Sequence, residues 1–131
     1  MEGSLARILV VDDHAHVRGA VRRILAKAGH EVWDAPDGTE ALALLDVIDF
    51  DLIITDVYMT VVDGMELLMR SHERGCRAPV IVMSGGGYAP RGELLKLARS
   101  CGAFATIVKP FSPQELRETV NSVLEAVQPA V

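Results

Sequence analysis

Five residues with reactive or metal-binding side chains stand at or just after the ends of short apolar stretches: Asp12, Asp13, Asp56, Ser84 and Lys109. Each stretch has the length of a β-strand, and the carboxyl ends of neighbouring parallel strands meet at one edge of a sheet. We therefore expect three carboxylates, one hydroxyl and one ammonium group to lie together at that edge.

Carboxylates held this close repel one another by roughly 4 kcal/mol per pair at an effective dielectric constant near 20. The cluster therefore needs a cation, and its oxygen ligands favour Mg²⁺, which keeps several waters and accepts phosphate oxygens. With metal bound, one carboxylate can attack phosphorus while the metal and a lysine neutralise charge on the transferred group. These residues thus predict Mg²⁺-dependent formation of an aspartyl phosphate.

The strands that position these residues are predicted from continuous apolar runs. They lie at 7–11, 31–35, 51–55, 79–84 and 104–108. Several are apolar at every position rather than at alternate positions, which is typical of parallel strands covered on both faces.

Helices are predicted between and after the strands. The first ends before Gly29, the second and third begin near Gly38 and Gly64, the fourth covers about 91–100, and the fifth begins with Ser112 as N-cap. Their predicted apolar faces are Val17, Val21, Ile24, Leu25 and Ala28; Ala41, Leu42, Leu44, Leu45 and Ile48; Met65, Leu67, Leu68 and Met69; and Leu116, Val120, Val123, Leu124 and Val127.

Five alternations of strand and helix indicate a parallel sheet with helices on both faces, which is a doubly wound α/β fold. The length of 131 residues fits one domain over 1–131 with its core at about 6–127. The short start at Met1 favours a stand-alone protein, but a piece of a larger regulator stays open.

Composition argues against several classes of function. A net charge of −5 has the wrong sign for a domain that binds nucleic-acid phosphates. No apolar run suggests a membrane span and the start does not resemble a signal peptide, so we expect a cytoplasmic protein. Cys76 and Cys101 are far apart without CxxC spacing, which argues against a redox or zinc site.

Four motifs at four strand ends, VVDD, DVYM followed by DG, MSGG and VKPF, resemble the receiver domain of response regulators in two-component signalling, such as chemotaxis receivers. The resemblance covers nearly the whole chain. It implies a flavodoxin-like (βα)5 fold with strand order 2-1-3-4-5. It also implies a cis peptide bond before Pro110.

The same resemblance assigns roles to the site residues. Asp12 and Asp13 would organise Mg²⁺, Asp56 would accept the phosphoryl group, and the backbone carbonyl of Tyr58 would complete the protein ligands of the metal. Ser84 and Lys109 would contact the phosphoryl oxygens.

The resemblance further implies partners and a mode of action. A sensor histidine kinase or a histidine phosphotransfer protein would donate the phosphoryl group. A downstream protein or a second copy, forming a homodimer, would dock on the surface of the fourth helix, fifth strand and fifth helix. The domain would assist its own phosphorylation and dephosphorylation without being a turnover enzyme.

Two positions depart from the family pattern. Thr60 stands where proline is common, and Thr106 stands where the family carries the aromatic residue of its switch, with Phe104 two positions earlier. The usual coupling between the Ser84 hydroxyl and an aromatic ring is therefore in question.

The four histidines are predicted to have no part in the site. His14 and His16 follow the acid pair, but a helix starting there would turn their side chains apart, which argues against a shared metal. His30 and His72 are predicted to lie on the surface.

Three other functions compete with the receiver interpretation. A phosphatase of the haloacid-dehalogenase type would use Asp56 as nucleophile, but Tyr58 replaces its second acid. A flavodoxin-like FMN protein needs a phosphate loop where Asp12 and Asp13 stand. A pseudo-receiver that acts only as an interaction module would not need all five site residues.

Overall fold

The computed structural model describes residues 5–57, 64–85, 96, 99–100 and 102–127. These ranges contain five strands, β1 (Arg7–Val11), β2 (Glu31–Ala35), β3 (Leu52–Asp56), β4 (Val80–Ser84) and β5 (Ala105–Val108). They also contain helices α1 (Ala15–Lys27), α2 (Gly38–Leu45) and α3 (Gly64–Glu73), and the C-terminal helix (Pro113–Val127). Most of the fourth predicted helix, with Tyr58 and Thr60, lies outside the described residues.

The five strands form one parallel sheet in the order β2-β1-β3-β4-β5, which confirms the predicted topology. All residues of β3 and β4 are buried, as their continuous apolar runs predict. The register pairs Asp56 with Met83 and Ser84 with Val108, so the carboxyl ends of β3, β4 and β5 finish at one level. This alignment brings residues that are distant in the sequence to a common edge.

Each face of the sheet carries its own core because side chains alternate along every strand. In β1, Leu9 and Val11 pack with the apolar residues of α2 and α3, whereas Ile8 and Val10 pack with those of α1 and the C-terminal helix. The buried apolar residues extend from Ala6 to Leu124. Within the described ranges, no helix combines the length and apolar character that a membrane span requires.

Local bonds fix the ends of the helices as the sequence predicts. The Ser112 hydroxyl accepts the backbone N–H of Glu115, and the Glu115 carboxylate accepts that of Ser112, a reciprocal capping box. Asp37 caps α2 by accepting the N–H of Glu40 at 2.9 Å. Gly29, with φ of +100°, follows the end of α1 in a conformation that glycine adopts without strain.

Some sequence-based predictions fail at the ends of elements. Ile48 lies beyond α2, although it still packs against the core, and Val127 is exposed at the last turn of the C-terminal helix. Phe104 precedes β5 rather than beginning it, and its residue is 46% exposed. The prediction of a surface position for His30 is wrong, because its residue is 8% exposed.

His30 is predicted to make stability dependent on pH. Its Nδ1 accepts the backbone N–H of Ala6 at 3.0 Å, and burial lowers the pKa of the ring. The unfolded chain takes up a proton near pH 6.5 while the folded ring resists it, so this contribution to stability is present above that pH and lost as the pH falls.

Replacing His30 by alanine leaves the Ala6 N–H without its acceptor and should lower the free energy of unfolding by roughly 1–3 kcal/mol at pH 7.5. The difference from wild type should narrow between pH 7 and pH 5. Urea denaturation across this pH range measures the difference in the free energy of unfolding. The control is His72→Ala, which changes an exposed residue. A constant difference at all pH values would contradict the assignment.

Candidate functional site

Asp56 ends β3, the central strand of the sheet, and its residue is 5% exposed. Its Oδ1 accepts the backbone N–H of Val57 at 3.0 Å. Burial raises the pKa of Asp56 above its ordinary value; nearby Lys109 opposes the rise and Asp12 adds to it. The Asp56 carboxyl group therefore has little access to water and lies near one positive group, Lys109, and one negative group, Asp12.

Lys109 follows β5 and reaches across the edge of the sheet. Its Nζ lies 2.8 Å from Asp12 Oδ2 and 3.4 Å from Asp56 Oδ1. Its backbone N–H donates to the Ser84 carbonyl at 2.7 Å, and its bond to Pro110 is cis, as predicted. One ammonium group therefore contacts two of the predicted carboxylates.

The Asp12 side chain is fully buried and bonded on both oxygens. Oδ2 accepts Lys109, and Oδ1 accepts the backbone N–H of His14 at 2.8 Å. Its backbone carbonyl accepts Arg18 Nη1 at 2.8 Å, and Arg18 Nε donates to Asp34 Oδ2 at 3.1 Å. The sequence did not predict that Arg18 contacts the site. Like the other basic residues of α1, it lies outside the apolar face of the helix, and nothing in the sequence distinguishes it from them.

The acid cluster has the composition of a site for a hard cation. Oxygens of Asp12, Asp13 and Asp56, with a ring nitrogen of His14, all lie within 4.8 Å of one another. Asp13 Oδ1 is buried and makes no hydrogen bond within the described residues, although the His14 ring nitrogen lies 3.0 Å away. A buried carboxylate oxygen of this kind is costly unless a cation compensates its charge. The three predicted carboxylates are thus together and suit Mg²⁺ in ligand type.

Ser84 ends β4 with a fully buried side chain. Its hydroxyl makes no hydrogen bond to any residue that the structure describes. A buried hydroxyl in this state can still donate to a ligand oxygen at the strand ends. All five predicted side chains therefore end at the same edge, whereas the predicted Tyr58 ligand lies outside the described residues.

His14 is closer to the cluster than the sequence suggested. Its Nδ1 lies 3.0 Å from Asp13 Oδ1 and 3.3 Å from Asp12 Oδ1, while His16 is not part of the cluster. The His14 ring thus faces the acid pair, which the sequence did not predict. The orientation of a ring just before a helix is set by local contacts that residue spacing does not reveal.

A family model described as the response regulator receiver domain matches residues 8–121, most of the chain. The chain belongs to this receiver domain family. The strand order and the clustered acids agree with this membership.

Relatives of the receiver include short and long proteins. Regulatory protein AtoC of Escherichia coli (strain K12) is 38% identical over 124 residues, covering 93% of this chain and 26% of AtoC. Chemotaxis protein CheY of Pseudomonas aeruginosa is 33% identical over 124 residues, covering 92% of this chain and 98% of CheY. The chain thus spans about a quarter of one relative and nearly all of the other.

Solved structures agree with the sequence relatives. Chemotaxis protein CheY4 of Vibrio cholerae matches with a TM-score of 0.82 and 34% identity over 92% of this chain and 99% of CheY4. NtrX of Brucella abortus matches with a TM-score of 0.87 and 33% identity over 94% of this chain and 27% of NtrX. The relatives support a phosphoacceptor switch of a two-component system and do not favour the phosphatase or the pseudo-receiver.

Gly64 holds the start of α3 against the end of β3. Its N–H donates to the Val57 carbonyl at 2.9 Å, and a Cβ at this position would overlap with the Asp56 carbonyl oxygen. Because that oxygen belongs to the backbone of a buried strand, moving it aside would lower the stability of the fold.

We expect Gly64→Ala to lower the free energy of unfolding by roughly 1–3 kcal/mol, because the added methyl group overpacks the strand. Gly19→Ala is the matched control, since its Cβ would meet only the end of the Arg23 side chain. That variant should be neutral or more stable by up to about 1 kcal/mol, because alanine favours helix more than glycine does. Chemical denaturation measures both, and equal stability of the two variants would refute the close contact.

Proposed function

We propose that this receiver takes a phosphoryl group onto Asp56 from the phosphohistidine of a sensor histidine kinase or a histidine phosphotransfer protein, using Mg²⁺ held by Asp12, Asp13 and Asp56. The supporting observation is the buried Asp56 carboxyl group beside the Lys109 ammonium and a second buried carboxyl group. A carboxylate shielded from water and facing a cation is suited to attack phosphorus.

In the transfer step an Asp56 oxygen forms a bond to phosphorus while the phosphorus–nitrogen bond of the donor breaks, and the donor imidazole leaves with the electron pair. Lys109 Nζ, already 3.4 Å from Asp56, would neutralise charge on the transferred group. The unused Ser84 hydroxyl would donate to a phosphoryl oxygen. Bound Mg²⁺ would supply further charge neutralisation, with the Tyr58 carbonyl as an additional ligand by family resemblance.

Phosphorylation would change the balance of charges at the strand ends. It adds roughly −1.5 to −2 charge units, which compete with Asp12 for Lys109. Because the backbone of Lys109 is bonded to Ser84, movement of the lysine would reach both β4 and β5. This coupling would alter the surface of β5, the C-terminal helix and the predicted fourth helix, where a downstream protein or a second copy would dock.

The output step would differ from the usual one. Thr106, on β5, offers no ring to fill space left by Ser84, and Phe104 is an exposed residue. We expect the receiver to act in the cytoplasm as a switch without turning over a separate substrate. Both a stand-alone protein and part of a larger regulator fit its relatives.

Phosphorylation is tested by intact mass after incubation with Mg²⁺ and a small acyl-phosphate donor. The wild type should gain one phosphoryl group, and Asp56→Asn or addition of EDTA should abolish the gain. Asp49→Asn, which changes an exposed acid before β3, is the matched control and should be phosphorylated. Phosphorylation of Asp56→Asn to the wild-type level would exclude Asp56 as the acceptor.

A second prediction concerns Arg18, which holds the backbone of Asp12. Arg18→Met should weaken Mg²⁺ binding by roughly tenfold or more, because groups that orient metal ligands have effects of this size. Arg22→Met is the control, since Arg22 pairs with the other oxygen of Asp34 and bonds to no part of Asp12 in the described structure. Isothermal titration should show an effect below about twofold for Arg22→Met, and equal effects would contradict the role of Arg18.

A further inference from the structure

The ring of His14 lies against the acid cluster at distances that suit a shared metal ion. Its Nδ1 is 3.0 Å from Asp13 Oδ1 and 3.3 Å from Asp12 Oδ1. Two atoms that bind one ion at about 2.1 Å and at right angles are about 3.0 Å apart. The distances from His14 Nδ1 to the two carboxylate oxygens therefore match the separation expected between two ligands of one ion.

Among the described residues, the hydrogen bond of the His14 ring is to the cluster itself, between Nδ1 and Asp12 Oδ1 at 3.3 Å, so binding of an ion would not break a bond to any other group. The residue is the N-cap of α1, but its side chain makes no capping hydrogen bond. The backbone of His14 is held instead by its N–H, which donates to Asp12 Oδ1 at 2.8 Å. The side chain is 71% exposed, so the ring can turn towards an ion without breaking a packed core.

We propose that His14 supplies a nitrogen ligand to the metal site, so that the site favours first-row transition-metal ions such as Mn²⁺ and Co²⁺ over Mg²⁺ more than its carboxylates alone would. Imidazole is a common ligand of transition metals, whereas Mg²⁺ prefers oxygen. The inference rests on the proposed function, because it uses the same site. It adds a residue that the family resemblance does not assign to the metal.

The competing role for His14 is a hydrogen bond from its ring to the acid pair. In that role Nδ1 would carry a proton directed at Asp12 or Asp13 and would have no free electron pair for a metal. The two roles therefore differ in whether nitrogen is bonded to the ion, which spectroscopy detects without reference to phosphorylation.

The experiment combines pulsed electron paramagnetic resonance of bound Mn²⁺ with calorimetric titration of Mg²⁺ and Co²⁺. The proteins are the wild type, His14→Ala, His14→Asn and the control His16→Ala. Asparagine is a favoured N-cap residue, so His14→Asn retains the start of α1 if the alanine variant folds poorly. Labelling histidine with ¹⁵N identifies any nitrogen coupling as imidazole.

We expect histidine nitrogen coupling to Mn²⁺ in the wild type and in His16→Ala, and none in either His14 variant. Co²⁺ binding should weaken by roughly tenfold or more without His14, and Mg²⁺ binding by less than about twofold. Mn²⁺ bound without nitrogen coupling, or coupling that survives the loss of His14, would overturn this inference and leave the proposed site intact. Absence of binding by Mg²⁺ and Mn²⁺ alike would overturn both.

Discussion

The ammonium group of Lys109 lies between two buried carboxylates, and the rest of the site depends on this contact. Asp12 follows β1 and Asp56 ends the neighbouring strand β3, both with almost no exposure to water, where like charges repel strongly. Lys109, which follows the edge strand β5, compensates both carboxylates. Because β3, β4 and β5 end at one level, the lysine is within reach of them. The parallel sheet and its two layers of helices thus hold the Lys109 ammonium group and the two carboxylates in place. In our account, Mg²⁺ later compensates the carboxylates, and Lys109 moves to the negative charge of the phosphoryl group.

Groups around this arrangement hold it in place. Arg18 links the Asp12 backbone to Asp34 at the end of β2, so the edge strand is tied to the centre of the site. Gly64 lets α3 approach the Asp56 carbonyl more closely than any residue with a Cβ could. The bond between Lys109 and Ser84 joins the two strand ends that would respond to phosphorylation. The same bonds that position the site would therefore carry its change of state to the β5 surface.

The sequence predicted the fold and the meeting of five side chains at one sheet edge because both have a strong local pattern. Continuous apolar runs marked the parallel strands, and the polar residue that ended each run marked the edge of the sheet. The predictions failed where a tertiary contact decides the outcome. His30 is buried and accepts the backbone N–H of Ala6, which is 24 residues away in the sequence. Arg18 acts through a backbone carbonyl, and the His14 ring faces the acid pair. None of these contacts leaves a periodic pattern in the sequence.

A crystal structure of the protein with Mg²⁺ and beryllofluoride, a mimic of the phosphoryl group, would test this arrangement of charges. We predict beryllium bonded to an Asp56 oxygen, the metal among Asp12, Asp13 and Asp56, and Lys109 Nζ moved from Asp12 onto a fluorine atom. Beryllofluoride on another residue, or on Asp56 with Lys109 still bonded to Asp12 and no metal between the carboxylates, would contradict it.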